Sequence, residues 1–217
     1  MARFLTMSRL KYKDESLELR GPSVHTARVI SRLTPAPLIN LYAGLIMVYT
    51  SPIGLGPVLN ETTALLILIP GMVILPVIPI ILSTWRGQTD LDVSAREMRA
   101  KFFAFSLACY AFVYAVFILA ECHILAVLSA AYFTVTLGVM IATLKTKVSV
   151  HGAGVGGPGT ALLIVYGWIA WPVVVLWTVV IWSRTVLKQH SLKQAIGGVV
   201  LGIAITLPTY WFLYILS

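Results

Sequence analysis

Apolar runs at 38–57, 62–83, 102–120, 122–143, 152–167, 169–183 and 191–216 take up most of this chain and leave little between them. A membrane-spanning helix needs about 20 such residues, with about 17 as a short limit. The first four runs and the last reach that limit. The fifth and sixth fall short, and Gly167-Trp168 divides them. Read as one helix, 152–183 would overreach a bilayer, so two shorter helices joined by a tight turn are expected. The composition agrees: 59% of residues are hydrophobic and 11% charged, where a soluble domain carries about a quarter charged residues. The expected fold is therefore all-α, a polytopic membrane bundle of six to seven transmembrane helices. Six applies if the first run re-enters at Pro52, Gly54, Gly56 and Pro57.

Two parts are expected. Residues 1–37 form a basic, partly amphipathic N-terminal segment on the membrane surface, and 38–217 form the membrane-embedded helical domain. Residues 1–33 carry Arg3, Arg9, Lys11, Lys13, Arg20, Arg28 and Arg32 against Asp14, Glu15 and Glu18. Val24, Ala27, Ile30 and Leu33 recur at about helical spacing, which predicts a helix lying in the interface. The segment has no short apolar core followed by a small-residue cleavage site, so it does not read as a signal peptide. Pro35 and Pro37 end it.

Charge then sets the topology. With seven spans, the N-terminus and loops 84–101, 144–151 and 184–190 share one side, and they hold nearly every Lys and Arg. Lys193 sits just inside the last run on that side. The opposite loops hold Glu61 and Glu121 and no cation. This is the positive-inside pattern, so a multi-pass protein with its charged face in the cytoplasm is expected. The net charge of +8 then reports topology and attraction to anionic membrane lipid, with no nucleic acid as partner. Cys109 and Cys122 lie in apolar runs and form neither a disulfide framework nor a zinc site.

Chemistry concentrates in the three cationic loops. Ionisable groups at a membrane are costly and default to functional hypotheses. Arg96 and Arg99 are three apart, share a helix face, and suit a double clamp on phosphate oxygens. Asp90 and Asp92 offer a second chemistry, Mg²⁺ on a diphosphate. Lys147, Ser149 and His151 precede a glycine-rich helix start; Ser149 reads as a cap, and close-packed backbone amides can meet an anion there. Arg184 and His190 stand six apart between the last two runs. His25 lies in the tail and His123 beside the far surface, whereas His151 and His190 each lead a helix on the cationic side.

Lys147-x-Ser149-x-His151 and Ser183-Arg184-x5-His190 resemble motifs two and three of the type 2 phosphatidic acid phosphatase superfamily, over roughly residues 85 to 200. The resemblance implies a helical membrane bundle with its site at one face. It also implies a phosphohistidine on His190, a proton donor in His151, and phosphoryl binding by Arg184, Lys147, Arg99, Arg96 and Ser149. No metal and no other cofactor is implied. Three features depart from the pattern. The first motif, Lys-x6-Arg-Pro, is missing, and Asp92 stands seven residues before Arg99. Val148 and Val150 replace Pro and Gly. Gln194 stands where the third motif has Asp, and orienting His190 by a neutral hydrogen bond falls to it.

The expected function is hydrolysis of a lipid phosphate, either a prenyl phosphate or diphosphate or a phosphatidic-acid-like substrate. Two alternatives are a Mg²⁺-dependent membrane prenyl- or phosphatidyl-transferase using Asp90 and Asp92, and a non-catalytic protein that binds anionic lipid.

Overall fold

The computed structural model describes residues 10–93 and 96–216, with the side chains of Ser16, Arg96 and Glu97 outside the description. Every regular element among them is helical. A short 3₁₀ turn, Lys13–Leu17, precedes α1 (Pro22–Leu33) and α2 (Ala36–Thr50). These two helices meet at a 58° bend, where Pro35 and Pro37 deny the helix its N–H donors. The next span, Glu61–Trp85, is continuous in hydropathy but not in winding. It runs α3 (Glu61–Leu68), a π turn (Ile69–Ile74), a 3₁₀ turn (Leu75–Val77) and α4 (Ile78–Trp85). Pro70, Pro76 and Pro79 explain the changes of winding, since each removes a ladder bond and crowds the preceding turn. Then follow α5 (Arg96–Leu119), α6 (His123–Lys145), α7 (Val150–Tyr166), α8 (Pro172–Val186) and α9 (Leu192–Tyr210).

The all-helical membrane bundle expected from hydropathy is what the structure shows. Segments 61–85, 98–119, 123–145, 150–170 and 192–215 are long and apolar enough to cross a membrane, and the bent α1–α2 pair brings the number to six where it counts as one span. All seven expected runs are helical, but α2 and α8 have only 15 residues each. The run 38–57 stops at Thr50 because residues 51–60 turn, with Gly54 and Gly56 at positive φ. A belt of exposed apolar side chains, including Leu66, Phe112, Leu119, Leu144 and Ile169, is what a bilayer requires. The protein is a multi-pass membrane protein.

The tightest helix pair is α7 with α9. A Cβ at Gly202 would stand 2.6 Å from the Gly157 nitrogen and 2.7 Å from the Ala153 carbonyl oxygen. One at Gly152 would stand 2.8 Å from the Ala195 carbonyl oxygen. Small residues let the two backbones touch, and van der Waals contact then holds them where lipid offers no hydrophobic drive. Trp177 on α8 lies over Gly159 and donates its indole N–H to the Val155 carbonyl at 2.8 Å.

Contacts sort the loops into two ends, as the charge pattern predicts. At one, Thr50 bonds Tyr166 at 3.0 Å and His123 stacks on Tyr214. At the other lie residues 10–21, α1, and the loops before α5, α7 and α9. The N-terminal segment is not merely a surface element. Val24 and Ala27 of α1 pack on Leu187, and the Ser183 hydroxyl donates to the Ala27 carbonyl at 3.2 Å.

Candidate functional site at the charged end

His151 and His190 reach this end by different local devices. Ser149 caps α7 by accepting from the Gly152 N–H at 3.1 Å, which fixes His151 in the first turn. His190 lies in the turn between α8 and α9. Lys188 is left-handed there, at φ +52°, and the Gln189 and His190 amides both donate to the Arg184 carbonyl, at 3.1 and 3.3 Å. The chain therefore folds back over the end of α8. The starts of α7 and α9 are tied by Ser149 N–H to the Gln194 carbonyl at 3.3 Å.

Arg184, in the last turn of α8, is 3% exposed. Its Nη1 donates to the Ser31 hydroxyl at 2.6 Å and its Nη2 to Asp92 Oδ1 at 2.8 Å. Asp92 Oδ2 accepts from the Lys13 amide at 3.2 Å. Burial alone would raise the Asp92 carboxyl, but Arg184 and then His151 outweigh it and hold it below its ordinary value. A buried pair of this kind does not add much stability, yet losing one member strands the other charge. Arg99, buried on α5, donates from Nε to the Val93 carbonyl at 2.8 Å. Lys147 faces Lys13 and Arg99; burial first, then Lys13, lowers its ammonium pKa.

His190 is 8% exposed. Burial, and then the charges of Arg184, Lys147 and Arg99, push its imidazole down to about 3, with Asp92 opposing. The ring is neutral at pH 7 and carries an available lone pair. His151 lies within electrostatic reach of Arg184, Asp92, His190 and the Ser31 backbone. Among the described residues, His190 Nδ1, Arg184 Nε and Gln189 Nε2 are buried without a hydrogen-bond partner. Buried polar groups are normally satisfied, and these three lie close together at the α8–α9 turn; Tyr132, Thr206 and Tyr210 carry others elsewhere in the bundle. An open cleft of about 520 Å³, walled by Lys11–Lys13, Glu15 and Gly87–Asp90, adjoins Lys13.

The structure thus brings together His190, His151, Arg184, Arg99 and Lys147. Two expected roles do not follow, and a third, that of Arg96, is not described. Gln194 does not orient His190: its Oε1 accepts from the Ser191 amide at 3.1 Å in a capping box for α9, and His190 Nδ1 is unpartnered. Ser149 is fully buried and its hydroxyl is occupied as a helix cap, which removes it from phosphate contact. The Arg96 side chain lies outside the described residues. Sequence reading does not single out Ser31 or Lys13 as neighbours of Arg184, and it gives Asp92 a role only in the alternative Mg²⁺ reading. No protein-family model, curated protein or solved structure matches the chain.

Proposed function

We propose that the charged end is a phosphoryl-transfer site and that the protein is a membrane lipid phosphatase working through a phosphohistidine. The observation that carries this reading is the convergence of His190, His151, Arg184, Arg99 and Lys147, from segments far apart in sequence, on one buried cationic cluster.

A ring nitrogen of His190 attacks phosphorus and the P–O bond to the lipid breaks. His151 relays the acidic proton of the bound phosphate monoanion to the departing oxygen, giving a lipid alcohol, or a lipid monophosphate when the substrate is a diphosphate. Water then attacks the phosphohistidine, His151 accepts its proton, and the P–N bond breaks to release inorganic phosphate. Arg184, Arg99 and Lys147 stabilise the equatorial oxygens, which carry most of the charge in a loose transition state. Burial of His190 removes its hydration shell and keeps it neutral, as a nitrogen nucleophile requires.

The substrate is a prenyl phosphate or diphosphate or a phosphatidic-acid-like lipid, which meets the site at the membrane surface. The excess of Lys and Arg on this face supports a cytoplasmic orientation. The Mg²⁺-transferase alternative is less well supported, because both Asp92 oxygens accept from protein donors that a metal would have to displace.

The test is phosphate release from prenyl diphosphate or phosphatidic acid by detergent-purified protein in EDTA. His190→Ala should abolish release and orthovanadate should inhibit it. Full activity in His190→Ala would refute the mechanism. Loss of wild-type activity in EDTA would favour the Mg²⁺ route, and headgroup binding without turnover would favour the non-catalytic one.

A further inference from the structure

The cluster gathers Arg184, Arg99, Lys147 and Lys13 around two histidines, and such a group repels itself unless an anion is fixed among them. Asp92 is the anion fixed beside Arg184 and the two histidines, and Asp90 acts on Lys147. Its side chain is 5% exposed and that of Arg184 is 4% exposed. The carboxylate is not on a swinging arm. One oxygen holds Arg184 and the other is held by the Lys13 amide. The loop that carries it is pinned by Leu91 N–H to the Lys11 carbonyl at 3.0 Å, and by Val93 N–H to the Asp90 carbonyl at 3.0 Å.

Seen from Arg184, two of three guanidinium nitrogens are tied, Nη1 to Ser31 and Nη2 to Asp92, and Nε alone has no partner among the described residues. Since the guanidinium is planar, two anchors fix the direction of the third N–H. The Ser31 backbone also lies within electrostatic reach of the His151 ring. One helix and one loop, far from both histidines in sequence, therefore set the geometry of Arg184 and His151 together.

We infer that Asp92 is a positioning residue of this site: with Ser31 it clamps Arg184 so that Nε faces the phosphoryl group, and it supplies the negative charge that steadies His151 while a proton moves. The inference rests on the phosphoryl-transfer reading. The opposing idea is that Asp92 competes for the guanidinium and must leave before phosphate binds. The two make opposite forecasts.

The experiment compares full-length wild type with Asp92→Asn, Asp92→Glu and Ser31→Ala in detergent. It measures kcat and KM for phosphate release in EDTA and, separately, orthovanadate affinity. A misplacement of an ångström or less in a transition-state contact costs up to roughly 100-fold, and it falls on kcat. Asp92→Asn should lose about that factor in kcat with KM within about 3-fold, and should bind vanadate more weakly. Asp92→Glu should recover to within about 10-fold of wild type, because it restores the charge; Ser31→Ala, which leaves both charges in place, should lose about 10-fold in kcat and remains readable should Asp92→Asn fail to fold. An Asp92→Asn protein that turns over at the wild-type rate, or binds vanadate more tightly, overturns the clamp. So does equal damage from Asn and Glu in folded protein. Wild type that neither hydrolyses a lipid phosphate nor binds vanadate sinks the phosphoryl-transfer reading itself, and is told apart because no variant is needed to see it.

Discussion

Replacing Gly202 by Ala tests whether the α7–α9 contact holds the bundle together. The new methyl would sit 2.6 Å from the Gly157 nitrogen and 2.7 Å from the Ala153 carbonyl oxygen. Ordinary contact begins at 3.4 Å, so the helices must part by about 0.8 Å. The obstacle is backbone and cannot rotate away. Overpacking of this kind costs about 1–3 kcal/mol, while exchanging Gly for Ala in a helix gains up to about 1 kcal/mol. Gly197 separates the two terms. It lies on the same helix and nothing stands within 4 Å of its missing Cβ, so Gly197→Ala carries the gain alone. The difference between the variants isolates the steric cost, about 2 kcal/mol. For a chain of this length that is roughly 4–8 °C in Tm. Thermal unfolding in detergent, followed by tryptophan fluorescence, measures it directly. Equal melting temperatures for Gly202→Ala and Gly197→Ala would refute the close-packing argument.

Two further outcomes are expected. His190 falls from an ordinary 6.5 to about 3 in the folded protein. Between those values the unfolded chain binds a proton that the folded chain does not, so stability is full above pH 6.5 and falls as pH drops towards 3. Asp92, whose pKa is lowered from 3.8, adds to the loss only at the acid end. Melting temperature measured from pH 7 to 4 should fall in wild type and fall less steeply in His190→Gln; a flat wild-type profile would contradict it. For topology, Gln88→Cys on the exposed charged end should react with an impermeant maleimide only in permeabilised cells, and Val58→Cys on the opposite end in intact ones. Cys109 and Cys122 are buried and leave the background low. Labelling of Gln88→Cys in intact cells would reverse the orientation.

Hydropathy locates the helices because lipid leaves the backbone so little choice, and parity of the loops alone puts His151, His190 and Arg184 at one end. What it could not reach were contacts between segments with no local signature. The pairing of Arg184 with Asp92 spans 92 residues and that with Ser31 spans 153, and nothing in a lone serine on an amphipathic helix announces a guanidinium partner. Gln194 teaches the reverse lesson. Ser191-x-x-Gln194 is a capping-box pattern, readable locally, and motif comparison hid it by offering a catalytic role for the same side chain. The first apolar run likewise overextends the helix, because hydropathy does not register that Pro52 forces Ser51 out of helical geometry and stops the helix at Thr50.

The Ser31–Arg184 bond also imposes an order on synthesis. α1 emerges from the ribosome well before its partner α8, and contacts of such separation form late and slowly. Until α8 arrives, α1 has no guanidinium to hold and must wait at the bilayer surface, where its amphipathic face is adequate for waiting. The cationic cluster is thus completed only once α8 reaches α1. A nascent protein interrupted before α8 would be inserted in the membrane and still lack a site.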